Sequence, residues 1–299
     1  MTSHSPTALH SPETLRHRSE TVAASLPALM ASAEHLAATV LLGVHGRRRA
    51  GMGDEFWQYR SAEPGDSFRS VDWRRSARAD QAFVRETEWQ AAQAVMLGVD
   101  DSASMAFTGH KSRPSKLRRA QTLAMALAVL SVRGGERVGL TTLNEPPKGG
   151  KAQLIRLAQA LMDPEEPVDY GAPKPRTLPS GSRAVFFSDF LGPIEAMERT
   201  LTSAADRGVK GAIVQVLDPD EEAFPFDGRT VFESMQGSLR FETLKAKGLR
   251  EAYLDRLAAR RDALATLSRR TGWQMLSHHT GSPAEPALMW LYRALERAA

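Results

Sequence analysis

The stretch that decides the fold is Val95 to Met105, VMLGVDDSASM, in which a short apolar run ends in aspartate and serine residues. The run has the length and the flanking residues of a buried parallel strand. Asp100, Ser102 and Ser104 follow it at alternate positions and offer only oxygen, the donor that Mg²⁺ and Ca²⁺ prefer. One carboxylate and two hydroxyls leave a divalent ion short of negative charge, so such a site accepts a further carboxylate. The pattern therefore indicates a docking site rather than a hydrolytic centre.

From Gln93 onward the chain alternates between strand-like and helix-like segments. Short apolar runs bounded by turn residues are followed by stretches whose apolar residues recur every three or four positions. This alternation predicts βαβ units and a doubly wound, mostly parallel sheet of the α/β class. The predicted strands cover residues 94–99, 137–143, 183–190, 210–217 and 273–278, with a short hairpin at 229–242. The predicted helices cover about 116–133, 151–162, 193–207, 248–271 and 286–297.

A second carboxylate, Asp189, also follows an apolar strand-like run. Because the carboxyl ends of parallel strands share one crevice at the edge of a sheet, we expect Asp189 to lie near Asp100. An alternative remains for both residues. The aspartates and the serines beside them cap backbone N–H groups where each strand turns into a helix.

The composition excludes several classes of chemistry. The chain has 299 residues and no cysteine, which rules out disulfides, thiolate catalysis and cysteine-ligated metal centres. It contains no P-loop and no nucleophile-elbow motif, so hydrolysis of nucleotides or esters by those routes is not expected. No apolar run reaches the roughly 20 residues of a membrane span, and the N-terminus lacks a secretory pattern. We therefore expect a cytoplasmic protein.

Three regions are predicted along the chain. Residues 1–25 are rich in Ser, Thr and His and form a flexible leader. Residues 26–90 hold one helix followed by a β-rich extension in which arginines and aromatic residues dominate, and residues 91–299 form the α/β domain. Acids and arginines alternate in the extension, which indicates an ion-pair network. The alternative for the extension is a nucleic-acid-binding surface of arginines and stacking rings.

The Asp-x-Ser-x-Ser pattern resembles the metal-ion-dependent adhesion site of von Willebrand factor A-type domains. The resemblance implies a von Willebrand A-like sheet with Mg²⁺, or alternatively Mn²⁺ or Ca²⁺, on Asp100, Ser102 and Ser104. It also implies that Asp189 supports the ion, usually through water. The family's third direct ligand is a loop threonine, usually after a glycine. Thr177 is the available loop threonine here, although it lies in a proline-rich context.

The arginine-rich block ahead of the Asp100 strand carries a second resemblance. Its motifs, in order, are Gly51–Phe56, Tyr59–Arg60, Pro64–Asp66, Arg69, Val71–Trp73, Ser76–Arg78 and Val84–Glu86. This succession resembles the bacterial domain-of-unknown-function fifty-eight family, over about residues 43 to 220. The resemblance implies a non-enzymatic adaptor or co-chaperone that works with a MoxR-type AAA+ ATPase and a client protein. The residues predicted to contact a partner are Asp101, Met105, Ser188, Arg69, Asp72, Trp73 and Arg78.

Two other functions stay open at this point. A metal-assisted phosphoesterase would use Asp100, Asp101 and Asp189, although the sequence offers few carboxylates for a two-metal site. A nucleic-acid-binding module would use the arginine-rich block, although the interspersed acids there repel phosphates.

Overall fold

The computed structural model describes residues 26–40, 56–62, 71–78, 82–87, 93–163, 168–171, 178–234, 237 and 240–297. The chain divides into two compact units, a larger one of residues 1–42 and 93–299 and a smaller one of residues 43–92. The predicted leader, Arg69 and Thr177 lie outside the described residues.

The described elements alternate between strands and helices after residue 93, as the sequence predicts. In chain order they are helix α1 (residues 26–40), strand β1 (Phe56–Ser61), helix α2 (Trp73–Ser76), strands β2 (Phe83–Thr87) and β3 (Ala94–Val99), helix α3 (Lys116–Arg133), strand β4 (Arg137–Leu140), helix α4 (Lys151–Met162), strand β5 (Arg183–Ser188), helix α5 (Ile194–Asp206), strand β6 (Lys210–Leu217), helix α6 (Pro219–Ala223), strands β7 (Thr230–Glu233) and β8 (Arg240–Thr243), helix α7 (Arg250–Thr271), strand β9 (Gln274–His279) and helix α8 (Glu285–Arg297). Short 3₁₀ turns lie at Ala103–Ala106 and Ala246–Leu249.

The larger unit is built on a five-stranded sheet in the order β4-β3-β5-β6-β9, and every neighbouring pair is parallel. Strand β5 is buried at all six positions, which is typical of a parallel strand with helices on both faces. The predicted doubly wound α/β fold is therefore confirmed.

Two apolar cores lie on the opposite faces of this sheet. One contains Val95 and Leu97 from β3 together with buried residues of α1, α3, α4 and α8. The other contains Met96 and Phe186 together with residues of α5 and α7. Phe186 stacks on Trp273 with ring centroids 5.4 Å apart. Alternate β3 side chains therefore serve different cores, as the two-residue period of a strand requires.

Helix α1 belongs to the larger unit, whereas the sequence analysis places it in one region with the β-rich extension. Its buried residues are part of the core on one face of the sheet; they are Leu29, Ala33, Leu36, Ala37 and Val40. An apolar stripe of this spacing needs a partner surface, and the helices α3, α4 and α8 contribute to the same core.

The smaller unit contains an antiparallel pair, β1 and β2, and the one-turn helix α2. Asp72 precedes that helix and accepts a hydrogen bond from the Arg74 backbone N–H at 3.1 Å. The Asp72 N–H in turn donates to the Phe83 carbonyl at 2.8 Å. Among the described helices of the whole chain, none combines the length and apolar character that crossing a membrane requires.

Candidate functional site

The turn that follows β3 is fixed by hydrogen bonds to Asp100. The Asp100 N–H donates to the Phe187 carbonyl at 2.8 Å, which extends the pairing of β3 with β5 by one residue. Asp100 Oδ1 accepts from the Ser102 N–H at 2.9 Å, and Oδ2 accepts from Ser188 Oγ at 2.6 Å. Both carboxylate oxygens are thereby held in place.

The two serines of the motif join Asp100 to the next strand end. Ser102 Oγ and Ser104 Oγ lie 3.2 Å apart, and Ser104 Oγ donates to Asp189 Oδ2 at 2.7 Å. The structure therefore brings together the four predicted residues Asp100, Ser102, Ser104 and Asp189.

Strand β5 is two residues shorter than predicted, and its end orients Asp189. Phe190 has a φ of 54°, so the chain turns directly after the aspartate. Asp189 Oδ1 accepts from the Leu191 N–H at 3.0 Å, and Ser188 Oγ accepts from the Phe190 N–H at 2.9 Å. The aspartates thus also cap backbone N–H groups, as the alternative interpretation expects.

Lys116, in the first turn of α3, completes the cluster, and the sequence analysis missed it. Its Nζ lies 2.9 Å from Asp189 Oδ2 and 2.5 Å from Glu221 Oε1, and its side chain is fully buried. A sequence signal was available, because a positive charge in the first turn of a helix opposes the helix dipole. A lysine at that position, directly after the N-cap Ser115, therefore predicts that a carboxylate lies close to it. Glu221 also carried a signal, since Asp218 and Glu221 form a capping box at α6.

The charges of this cluster are unbalanced. Burial raises the pKa of Asp100, and burial likewise raises the pKa of Glu221 against the opposing effect of Lys116. Burial also disfavours the charge on Lys116, but the carboxylates of Asp189 and Glu221 outweigh it and hold the pKa of Lys116 above its ordinary value. Lys116 pairs with Asp189 and Glu221, and Asp100 lies beside them, so the cluster has a net charge of minus two when all three carboxylates are ionised.

Residues 168–171, which we name the covering segment, lie against the turn. The Ala103 N–H donates to the Val168 carbonyl at 2.8 Å, and the Ser104 N–H donates to the Asp169 carbonyl at 2.9 Å. Asp100, Ser102, Ser104 and Asp189 are each at most 7% exposed. The cluster is therefore closed to solvent in this structure.

The other residues predicted to contact a partner are placed differently. Met105 is fully buried in the core with Val95 and Leu97, and Ser188 is fully buried beside Asp100, so neither presents its side chain at the surface. Asp101 is half-buried. In the smaller unit Trp73 is 57% exposed, Asp72 is half-buried and Arg78 is exposed. These observations leave their predicted role in binding as a prediction.

The donors suit a hard cation only if hydroxyls take part. Within the described part of the chain, no three His, Cys, Asp or Glu side chains are grouped to hold a metal. Neighbouring ligand oxygens on an octahedral ion lie about 3.0 Å apart for Mg²⁺ and about 3.4 Å apart for Ca²⁺. The 3.2 Å between Ser102 Oγ and Ser104 Oγ falls between these values. The spacing of these two hydroxyls is therefore compatible with either ion, and the same spacing lets one hydroxyl donate a hydrogen bond to the other.

Comparison with known proteins identifies the family. The family model described as "Protein of unknown function DUF58" matches residues 58–263. The chain belongs to the DUF58 family. Two relatives are the uncharacterized proteins Mb1516 of Mycobacterium bovis and Rv1480 of Mycobacterium tuberculosis, each 28% identical over 93% of this chain and 92% of the relative.

Two solved structures are similar to this DUF58 protein over part of its length. One is an aerotolerance-related membrane protein from Bacteroides fragilis, with a TM-score of 0.41 and 15% identity over 69% of this chain and all of that chain. The other is the conserved hypothetical protein BatB from Bacteroides thetaiotaomicron, with a TM-score of 0.34 and 13% identity over the same shares.

Proposed function

We propose that this DUF58 protein is a non-enzymatic docking module that binds Mg²⁺ and works with a MoxR-type AAA+ ATPase and a client protein. Asp100, Ser102 and Ser104 would hold the ion directly, and Asp189 would support it. The observation that carries the proposal is the charge imbalance of the buried cluster at the carboxyl edge of the sheet.

The excess negative charge of the cluster favours a divalent cation over any other occupant. When Asp100, Asp189 and Glu221 are all ionised, three negative charges face one positive charge on Lys116, and burial makes the excess costly. A divalent ion offsets this excess in full. A monovalent cation offsets half of it, and an anion would increase it.

The distribution of that charge supports a role for the motif rather than for Lys116 alone. Lys116 pairs with Asp189 and Glu221, whereas Asp100 receives its hydrogen bonds from a serine hydroxyl and a backbone N–H. The carboxylate that opens the motif is thus the one without an ionic partner among the contacts that the structure gives it. An ion bound by Asp100, Ser102 and Ser104 would supply that ionic partner.

When bound, the ion supplies positive charge to which a carboxylate of a partner protein can bind. The residues around it position the ligands. Ser188 and the Ser102 N–H fix the orientation of Asp100, and Lys116 holds Asp189 beside Ser104. A site of this kind binds an acidic side chain and performs no bond cleavage, which suits an adaptor.

Binding of Mg²⁺ to the full-length protein tests the first half of the proposal. Isothermal titration calorimetry should give one site per chain for the wild type and at least tenfold weaker binding for Asp100→Asn and Ser102→Ala. Asp227→Asn is the matched control, because Asp227 is exposed in the loop before β7 and also accepts a hydrogen bond from a backbone N–H. Titrations with Mn²⁺ and Ca²⁺ rank the ions. Absence of any heat in the wild type would reject the metal site.

Binding to the purified ATPase tests the second half. Interferometry with the immobilised full-length chain should show binding in Mg²⁺, loss in EDTA and loss for Asp100→Asn in Mg²⁺. Equal binding under all three of these conditions would mean that the ATPase contacts another surface. A phosphatase assay on generic phosphomonoesters, run on the same samples, should show no turnover. Mg²⁺-dependent turnover would instead support the alternative function, a metal-assisted phosphoesterase.

A further inference from the structure

The covering segment occupies the place through which a partner would reach the candidate site. Its two carbonyl groups, at Val168 and Asp169, accept from the N–H groups of Ala103 and Ser104, at 2.8 and 2.9 Å. Those N–H groups belong to the same turn as the serine hydroxyls. The segment therefore takes hydrogen bonds that a docked polypeptide would otherwise take, and it does so directly over the proposed ion ligands.

The fit between the segment and the cluster is close. A Cβ atom at Gly171 would lie 2.8 Å from Asp100 Oδ1 and 3.0 Å from the Cβ of Ser102. On its other side, a Cβ atom at Gly192 would lie 2.9 Å from the Gly171 carbonyl oxygen. Glycine at both positions lets the backbone approach the carboxylate, and no side chain of a partner fits between them in this state.

The outer surface of the segment differs from a loop that only closes a core. Val168 is 52% exposed and Tyr170 is 43% exposed, on either side of Asp169. Asp169 Oδ2 accepts from Ser234 Oγ at 3.1 Å, at the end of strand β7. The segment thus carries an apolar residue, a carboxylate and an aromatic ring in succession, and Ser234 Oγ donates a hydrogen bond to that carboxylate.

We propose that residues 168–171 are an internal occupant of the docking site and that they must leave the 102–104 turn before a partner binds. This inference rests on the proposed function. It also specifies the partner: an extended segment with an acidic side chain, whose carbonyl groups replace those of Val168 and Asp169 at the turn. The hydrogen bond from Ser234 to Asp169 helps to keep the segment in place.

The first test locks the segment. The full-length variant Asp169→Cys/Ser234→Cys carries the protein's two thiols, because the chain contains no cysteine of its own. A free-thiol assay reports whether the disulfide has formed, and the reduced form of the same variant is the control. In Mg²⁺, the oxidised form should bind the purified ATPase at least tenfold more weakly than the reduced form. Equal binding by the two forms would overturn the inference.

The second test does not depend on the metal or on the ATPase. Hydrogen exchange at the backbone amides of Ala103 and Ser104 reports release of the segment, since both amides donate to it. Ser234→Ala should increase exchange at these two amides several-fold. The Val138 amide, which donates to the Lys148 carbonyl at 2.9 Å, is the internal control and should not change. Unchanged exchange at Ala103 and Ser104 would overturn the inference.

The two tests separate the inference from the proposed function. If the wild type binds neither Mg²⁺ nor the ATPase, the proposed function fails, and the exchange experiment still decides whether the segment opens. If the wild type binds both and the locked form binds equally well, the proposed function stands and the internal occupant is rejected.

Discussion

The Lys116 ammonium lies 2.9 Å from Asp189 Oδ2, and both side chains are completely shielded from solvent. The pair joins the first turn of α3 to the end of β5, and Glu221 extends it to α6. The segments that directly follow β3, β5 and β6 are therefore joined at one edge of the sheet. A buried pair of this kind costs much when one partner is removed, because the other charge remains without compensation.

Lys116→Met should lower the free energy of unfolding by about 3–5 kcal/mol, because it leaves the carboxylates of Asp189 and Glu221 buried without their cation. Urea denaturation at neutral pH measures the change. The double variant Lys116→Met/Asp189→Asn should recover part of the loss, since it removes one of the two uncompensated charges.

The matched control for that prediction is a surface ion pair. Arg156 pairs with Glu145, and their side chains are 53% and 34% exposed. Arg156→Met should change the stability by less than about 1 kcal/mol, because water solvates the charge that remains. If the two single variants lost equal stability, the burial of Lys116 would have no energetic consequence.

In metal-free buffer, the stability of Asp100→Asn relative to that of the wild type should increase as the pH rises. Burial raises the pKa of Asp100, so the folded protein binds this proton more tightly than the unfolded chain does. The wild type therefore loses stability as the pH rises from the ordinary pKa of 3.8 to the raised value in the folded state, and the variant does not. Urea denaturation between pH 4 and 7 measures the difference between the two proteins.

A level difference between Asp100→Asn and the wild type across this pH range would show that Asp100 ionises in the folded protein at no cost, and the charge argument for a cation would then fail.

Gly171→Ala should lower the free energy of unfolding by about 1–3 kcal/mol, because the added Cβ would lie within 3.0 Å of both Asp100 and Ser102. Gly248→Ala is the control. Gly248 is exposed, no atom lies within 4 Å of the position that its Cβ would take, and its effect should stay within about 0.5 kcal/mol. Thermal unfolding followed by circular dichroism measures both. An equally small effect at Gly171 would show that the covering segment adapts without strain.

The sequence predicts the sheet well because buried parallel strands leave a simple pattern. Strand β6 has the predicted bounds, Lys210–Leu217, since every residue after the first is buried. Strand β4 ends at Leu140 rather than at 143, because the chain turns there and the Leu143 N–H donates back to the Leu140 carbonyl at 3.3 Å. Thr141 and Thr142 in that turn are β-branched residues that favour strands, so the pattern alone does not show the turn.

The candidate site is predicted only in part, for a related reason. Asp100 and Asp189 are found because each directly follows a strand, and strand ends meet at one edge of a parallel sheet. Lys116 and Glu221 lie on helices, where a charged residue is usually solvated. Their positions in the first helical turn are a local signal, but only the tertiary structure buries both beside Asp189. The covering segment follows no periodic pattern, so its contacts with the turn have no signal in the sequence.

A second pH-dependent contribution should act in the opposite direction to that of Asp100. Arg119 Nη1 lies 2.9 Å from His278 Nε2, and because arginine only donates, this nitrogen of His278 accepts and the ring is neutral. Burial, together with the positive charge of Arg119, lowers the pKa of His278 to about 4. The unfolded chain then binds this proton more tightly than the folded protein does, so stability is lost as the pH falls below about 6.5.

His278→Gln should remove this loss, because the glutamine carbonyl can accept from Arg119 and does not titrate. Between pH 7 and 4.5 the wild type should lose roughly 2–3 kcal/mol more than the variant, as measured by urea denaturation. An identical acid response in His278→Gln and the wild type would mean that His278 accepts a proton in the folded state. Arg119 would then have to give up its contact with the ring.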